Sequence, residues 1–154
     1  MAWTSYPLWQ DTAYDDNFRV DTMIPGDPNI SIEQFVTLHS NVDAYAGAQK
    51  KLPMYLGPDS RISFRYHVKS HLRPASVTFL VAGEYGKLEI PVPRVAANEW
   101  VDVRLGWRAI TAAAPDIPRD VPMKVNGIAV LVKISGADPD MPLYFGLDDV
   151  TVDG

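Results

Sequence analysis

Short segments in which apolar and polar residues alternate are the strongest constraint on the fold of this chain. In residues 61–70, Ile62, Phe64, Tyr66 and Val68 would share one face, and the other face would carry Ser63, Arg65, His67 and Lys69. A period of two is typical of a β-strand with one buried face. Related apolar patterns predict further strands at residues 76–82, 87–92, 99–105, 128–135 and 143–152.

Prolines and glycines separate these segments along the whole chain. Thirteen prolines and ten glycines are spread through the sequence, which favours many short elements and leaves little room for long helices. We predict a hairpin connection at residues 83–86 and a tight turn at Asn126-Gly127. Residues 41–52 are the best helical candidate, and residues 110–121 read as a long loop with one helical turn at 111–114.

The less regular first half adds two candidate strands, at residues 14–21 and 30–39. Short alternating strands are typical of a sandwich or barrel. Because each strand has one apolar face, we expect an all-β fold, an antiparallel two-sheet β-sandwich of the jelly-roll type.

The length of 154 residues suits one domain. We expect a single module over residues 1–154, with an irregular leader at 1–12, cut from a larger protein. The net charge of −5 argues against a nucleic-acid partner and against electrostatic membrane binding. The absence of cysteine excludes disulfides and thiol nucleophiles, and no stretch has the length and apolarity of a membrane span.

Sequence motifs of the common catalytic sites are missing. The chain has no glycine-rich phosphate loop, no GxSxG nucleophile elbow and no HExxH zinc motif. Of its three histidines, His39, His67 and His71, the last two are four residues apart, but they straddle the end of a predicted strand and do not share a helix face.

Two pairs of acidic residues lie near the ends of the chain, Asp15-Asp16 and Asp148-Asp149. First and last strands of a sandwich often lie side by side, so the pairs could meet and form an oxygen-rich Ca²⁺ site. Alternation would place Asp148 on the face of Val150 and Val152, where a charge needs compensation. Two alternatives remain: solvated or turn-capping aspartates, and the acid/base pair of a glycosidase.

Exposed aromatic side chains are natural platforms for the apolar faces of sugar rings. Trp107 and Tyr85 are such candidates, with Trp3, Tyr6 and Trp9 of the leader, whereas we expect Trp100 to pack as structure. Sugar hydroxyls or uronate carboxylates could bind a polar, partly basic row of Arg65, His67 and Lys69. Arg104 and Lys133 could extend this row from neighbouring strands. The alternative for this row is an ordinary solvated face.

Several segments resemble a known family of sugar-binding domains. The run Pro-Leu-Tyr-Phe-Gly-Leu-Asp-Asp-Val-Thr-Val at 142–152 resembles the closing strand of jelly-roll carbohydrate-binding modules of the galactose-binding-like superfamily. Residues 14–18, 62–70 and 98–103 resemble other strands of these modules, so that the likeness covers roughly residues 10–154 in outline.

The resemblance implies a non-catalytic module that targets a polysaccharide-active enzyme to its glycan, outside the cell or in the periplasm. It also implies a structural calcium ion held by Asp148 with Asp15 or Asp16. Two other functions stay open: a structural jelly-roll accessory domain that binds no sugar, and a small polysaccharide lyase or hydrolase.

Overall fold

The computed structural model describes the backbone of residues 3–5, 14–21, 31–38, 44–69, 73–134 and 142–153. Side chains are described within residues 47–69, 73–134 and 145–153. These parts of the chain contain ten strands and one short helix. The elements are β1 (Trp3–Ser5), β2 (Tyr14–Asp21), β3 (Ser31–Leu38), β4 (Ala44–Leu56), β5 (Arg61–Lys69), β6 (Ser76–Gly83), β7 (Gly86–Pro91), β8 (Trp100–Gly106), α1 (Trp107–Ala113), β9 (Met123–Ile134) and β10 (Pro142–Asp153).

The strands form two five-stranded sheets. Sheet 1 has the order β1-β4-β9-β6-β7, and sheet 2 has the order β2-β3-β10-β5-β8. Every described pair of neighbouring strands is antiparallel. The predicted two-sheet antiparallel β-sandwich is therefore confirmed, and its closing strand β10 lies at the centre of sheet 2.

A single apolar core lies between the sheets. In β5 the buried residues alternate with more exposed ones, as the sequence pattern predicts. Phe64 of sheet 2 stacks on Phe79 of sheet 1, with ring centroids 5.7 Å apart. The core also buries Tyr66, whose hydroxyl donates a hydrogen bond of 2.6 Å to the carbonyl oxygen of Arg94. This bond satisfies the phenol that burial removes from water.

The helix predicted at residues 41–52 is wrong, because most of this segment lies in β4. The strand pairs with β1 on one side and with β9 on the other. Pairing on both edges satisfies the backbone groups of β4, and this tertiary constraint overrides a weak local helical propensity. No helix among the described residues is long and apolar enough to cross a membrane.

The turn predicted at Asn126-Gly127 is also wrong. Both residues lie inside β9, where Gly127 pairs with Lys51 of β4 and with Ala82 of β6. The register shifts beside this point on both neighbouring strands, so the dipeptide marks an irregularity of the sheet and not a chain reversal. A Cβ at Gly127 would come within 3.1 Å of the Lys50 carbonyl oxygen, which explains the glycine.

The hairpin predicted at residues 83–86 is confirmed. Gly83 pairs with Gly86, and the two residues between them form the tip. Gly86 has a φ of 83°, in the left-handed region that glycine adopts at low cost.

Helix α1 begins at Trp107, four residues before the single turn that the sequence predicts. It packs against β7 of sheet 1 and β8 of sheet 2. The helix therefore covers the side of the sandwich at which β7 and β8 are the edge strands of their sheets.

We expect Gly83→Ala to destabilise the protein by about 1–3 kcal/mol, in the range of overpacked substitutions. A Cβ at this position would come within 2.2 Å of the Lys124 carbonyl oxygen, and a backbone atom moves only with its strand. The measurement is the free energy of unfolding in urea. Gly106→Ala is the matched control, because a Cβ there meets nothing within 4 Å. Equal losses of stability in the two variants would contradict the close approach at Gly83.

Candidate functional site

The face of sheet 2 that points away from the core carries the polar residues of β5 and β8. Arg65 lies opposite Asp102, and His67 lies opposite Trp100. In the burial pattern of β8 the core-facing residues are Val101, Val103 and Leu105, so Trp100 belongs to the outer face. Trp100 therefore packs on the outer face of the sheet and not in the core between the sheets.

Trp100 is half-buried because two side chains of β5 lie against its indole. The Arg65 guanidinium carbon lies 5.0 Å from the Trp100 ring centroid, within the range of a cation–π contact. The imidazole of His67 lies at a centroid distance of 5.4 Å, with its plane tilted by 59°. These contacts hold the indole on the outer face of the sheet and leave part of it accessible.

Arg65 is in turn held by two carboxylates. Its Nε atom lies 3.3 Å from Oδ1 of Asp102, and one terminal nitrogen lies 3.6 Å from Oδ2 of Asp149. Pairs as exposed as these contribute little to stability. They nevertheless orient the guanidinium against Trp100 and offset its positive charge with carboxylates from β8 and β10.

His67 offers a neutral imidazole at physiological pH. Partial burial lowers the pKa of His67 below its ordinary value of 6.5, and the positive charge of Lys69 lowers it further. A neutral imidazole carries one hydrogen-bond donor and one acceptor.

The predicted basic row is present on this face but it is not uniformly basic. Lys69 is exposed at the end of β5, and Arg104 is exposed on β8 opposite Ser63. The structure therefore brings Arg65, His67, Lys69 and Arg104 to one sheet face, as predicted. Lys133 does not extend the row, because it lies in β9 of sheet 1. Asp102 and Asp149 are interleaved with them, so acidic and basic groups alternate.

Gly146 of β10 lies directly opposite His67, in the middle of the sheet. Gly146 therefore adds no side chain to the outer face next to the imidazole. Neither Gly146 nor Trp100 is among the site residues that the sequence predicts. A usable signal existed for Trp100, because it has the same parity as the outward Asp102 and Arg104 in an alternating strand.

Trp107 is not the exposed platform that the sequence predicts. Only 9% of its surface is exposed, and its indole N–H donates a hydrogen bond of 2.7 Å to the Arg119 carbonyl oxygen. The burial of Trp107 has a simple physical cause. Trp107 begins α1, which packs against the sandwich and places the indole under the following loop.

The other predicted aromatic positions lie apart from this face. Tyr85 is 44% exposed, but it lies at the β6–β7 hairpin tip of sheet 1. Trp3 lies in β1, where only the backbone is described, and Tyr6 and Trp9 lie outside the described residues.

The two acidic pairs do not meet, so the predicted calcium ligand set is wrong in its pairing. Asp16 lies opposite Val36, and Val36 lies opposite Leu143, with β3 between β2 and β10. Asp148 is five residues further along β10 than Leu143, a distance of about 17 Å. Oxygen ligands of one Ca²⁺ ion lie within about 2.6 Å of it, which this separation does not allow.

The environment of Asp148 also differs from the expectation. A register shift between Asp148 and Thr151 interrupts the alternation, so Asp148 pairs with Arg65, whereas Val152 pairs with the core residue Ile62. Asp148 is buried, and its Oδ1 accepts a hydrogen bond of 2.9 Å from the backbone N–H of Asp149, which has a φ of 53°. No group of three or more potential metal ligands occurs within the described residues. Calcium thus remains a prediction without a ligand set.

We expect the imidazole of His67 to titrate below pH 6.5 when it is followed by NMR. Lys69→Gln should raise this midpoint, because it removes a nearby positive charge. An unfolded chain binds the proton more readily than the folded one, so stability should fall as the pH drops through 6.5 towards the folded-state pKa. A midpoint at or above 6.5 would contradict the partial burial of the ring.

Comparison with known proteins gives matches among solved structures. No family model matches the sequence, and no curated protein is significantly similar to it. A structure from a study of the promiscuous specificity of carbohydrate-binding modules of the β-sandwich superfamily matches with a TM-score of 0.61 and 12% identity. The match covers 99% of this chain and 56% of that one, so this chain spans little more than half the length of the matched chain.

Two further matches have similar lengths. The family 11 carbohydrate-binding module of the cellulosomal cellulase Lic26A-Cel5E from Clostridium thermocellum has a TM-score of 0.56 and 15% identity, over 100% of this chain and 88% of that one. A family 28 module specific for non-crystalline cellulose has a TM-score of 0.55 and 9% identity, over 92% of this chain and 87% of that one. The resemblance inferred from the sequence is thereby confirmed at the level of the fold: the chain has the jelly-roll β-sandwich fold of these carbohydrate-binding modules.

Proposed function

We propose that this chain is a non-catalytic carbohydrate-binding module that binds its glycan on the outer face of sheet 2, around Trp100. The observation that carries the proposal is the partly exposed Trp100 in contact with Arg65 and His67. The C–H face of a sugar ring can stack on such an indole, which is apolar across its plane. Hydrogen-bonding groups lie beside the ring, as the sugar hydroxyls require.

The polar groups around Trp100 favour hydroxyls over carboxylates as partners. Arg65 already has the carboxylates of Asp102 and Asp149 within 4 Å, so its charge is offset. His67 is neutral and can both donate and accept a hydrogen bond. We therefore favour a neutral polysaccharide over a uronate polymer as the ligand.

The comparisons add support from the fold. A family 11 module from Clostridium thermocellum, with a TM-score of 0.55 to this chain, was solved in complex with a β-1,3-1,4-mixed-linked tetrasaccharide. A similar sandwich thus binds a short oligosaccharide in that protein. An extracellular or periplasmic location, and attachment to a polysaccharide-active catalytic domain, belong to the same proposal.

The described residues of this face do not favour a hydrolase or lyase. The carboxylates Asp102 and Asp149 both contact the same guanidinium, and the side chain of Asp102 is 79% exposed. A catalytic acid typically needs an apolar environment that keeps its proton at neutral pH. We therefore infer that these carboxylates orient the Arg65 side chain and do not act in catalysis.

We expect Trp100→Ala to weaken binding by about 2 kcal/mol, or roughly 30-fold in Kd, as for a central aromatic of a binding surface. Affinity electrophoresis in gels that contain β-glucan, xylan, galactan or polygalacturonate measures the effect. Trp100→Tyr is the matched control, because it keeps an aromatic plane and should retain much of the affinity.

Two results would count against the proposal. Unchanged migration of the parent protein in all these gels would favour a structural accessory domain. Retention of the parent by polygalacturonate alone would contradict the preference for neutral glycans.

A further inference from the structure

Three large hydrophobic residues are exposed within the described side chains, and all of them lie at one end of sheet 1. Tyr55 is 62% exposed, Val121 is 53% exposed and Tyr85 is 44% exposed. Tyr55 lies near the end of β4, Val121 precedes β9, and Tyr85 is at the β6–β7 tip. Single exposed apolar residues are normal on a protein surface, but a concentration of them at one place indicates an interaction.

The strand register defines how the two tyrosines are related. Tyr55 pairs with Lys124 of β9. On the other side of β9, the backbone N–H of Glu84 donates to the Lys124 carbonyl oxygen at 3.1 Å. Tyr85 follows Glu84 directly, so two strand spacings separate the tyrosines, which is roughly 10 Å.

The tip that carries Tyr85 is anchored to its neighbour. The Glu84 Oε1 atom accepts a hydrogen bond of 2.9 Å from the Lys124 backbone N–H, in addition to the backbone bond in the other direction. Gly83 also approaches the Lys124 carbonyl so closely that no Cβ fits there. A ring presented from such an anchored tip loses little conformational entropy when it binds a ligand.

We propose that Tyr55 and Tyr85 form a second carbohydrate-binding platform, separate from the outer face of sheet 2. Two exposed phenol rings provide stacking surfaces, and the charged side chains of Lys124 and Glu84 between them provide partners for sugar hydroxyls. The ligand class is a polysaccharide segment long enough to contact both rings. The class of ligand rests on the proposed function, whereas the location of the site does not.

Charge placement favours a glycan over a protein at this platform. Protein interfaces are depleted of charged residues at their centres, especially of lysine and glutamate. Here the strand positions of Lys124 and Glu84 lie between those of Tyr55 and Tyr85. A sugar chain tolerates such charges, since its hydroxyls are good hydrogen-bond partners for both.

The test compares Tyr55→Ala/Tyr85→Ala with the parent protein on a polysaccharide that the parent binds and on a short oligosaccharide of the same glycan. We expect at least a tenfold loss of affinity for the long polymer, because simultaneous engagement of two sites is lost. Affinity of the sheet 2 site for the short oligosaccharide should not change. Tyr55→Phe/Tyr85→Phe should retain polymer binding, and Val121→Ala is a control without an aromatic ring at the same end.

Combination with Trp100→Ala separates the two sites. Trp100→Ala alone should leave weak binding to the polymer, and addition of the two tyrosine substitutions should abolish it. Polymer binding by Tyr55→Ala/Tyr85→Ala equal to that of the parent would overturn the second platform alone. Failure of the parent to bind any glycan would overturn the proposed function together with this inference. Thermal unfolding of each variant verifies that the exposed substitutions leave the fold intact.

Discussion

The burial of one face of strands β4–β10 in a shared core is the constraint on which the rest of the structure depends. Phe64 and Phe79 stack across the gap between the sheets, so the two inner faces are joined directly. Once the apolar faces meet, the alternation of side chains in each strand directs the remaining residues outwards. The outer face of sheet 2 is therefore a consequence of the core, and Arg65, His67 and Trp100 share it for that reason.

On that outer face, a chain of contacts arranges the candidate binding surface. Carboxylates of β8 and β10 orient Arg65, and Arg65 lies against Trp100. The indole is thus held by groups from three neighbouring strands, although each single contact is weak. A surface arranged before the ligand arrives requires little ordering on binding, which suits the proposed binding function.

Departures from regular pairing position functional groups in both sheets. In β10 the shift between Asp148 and Thr151 brings Asp149 to Arg65, while Val152 returns to the core face. In sheet 1 the shift at Ala82 and Gly83 lies next to the hairpin that presents Tyr85. Bulges commonly redirect side chains at binding sites, and both shifts here fit that role.

Local patterns in the sequence predict the all-β class, most strands, the hairpin at residues 83–86 and the outward row of β5, because periodicity encodes which face is buried. The strand conformation of residues 41–52 and the irregularity at Asn126-Gly127 could not be predicted in this way, since both depend on strands that are distant in sequence. The same holds for the separation of Asp148 from Asp16 and for the burial of Trp107, which follow from strand order and from helix packing. Pairing between distant segments carries no local signal, and it places Trp100 beside Arg65 and His67.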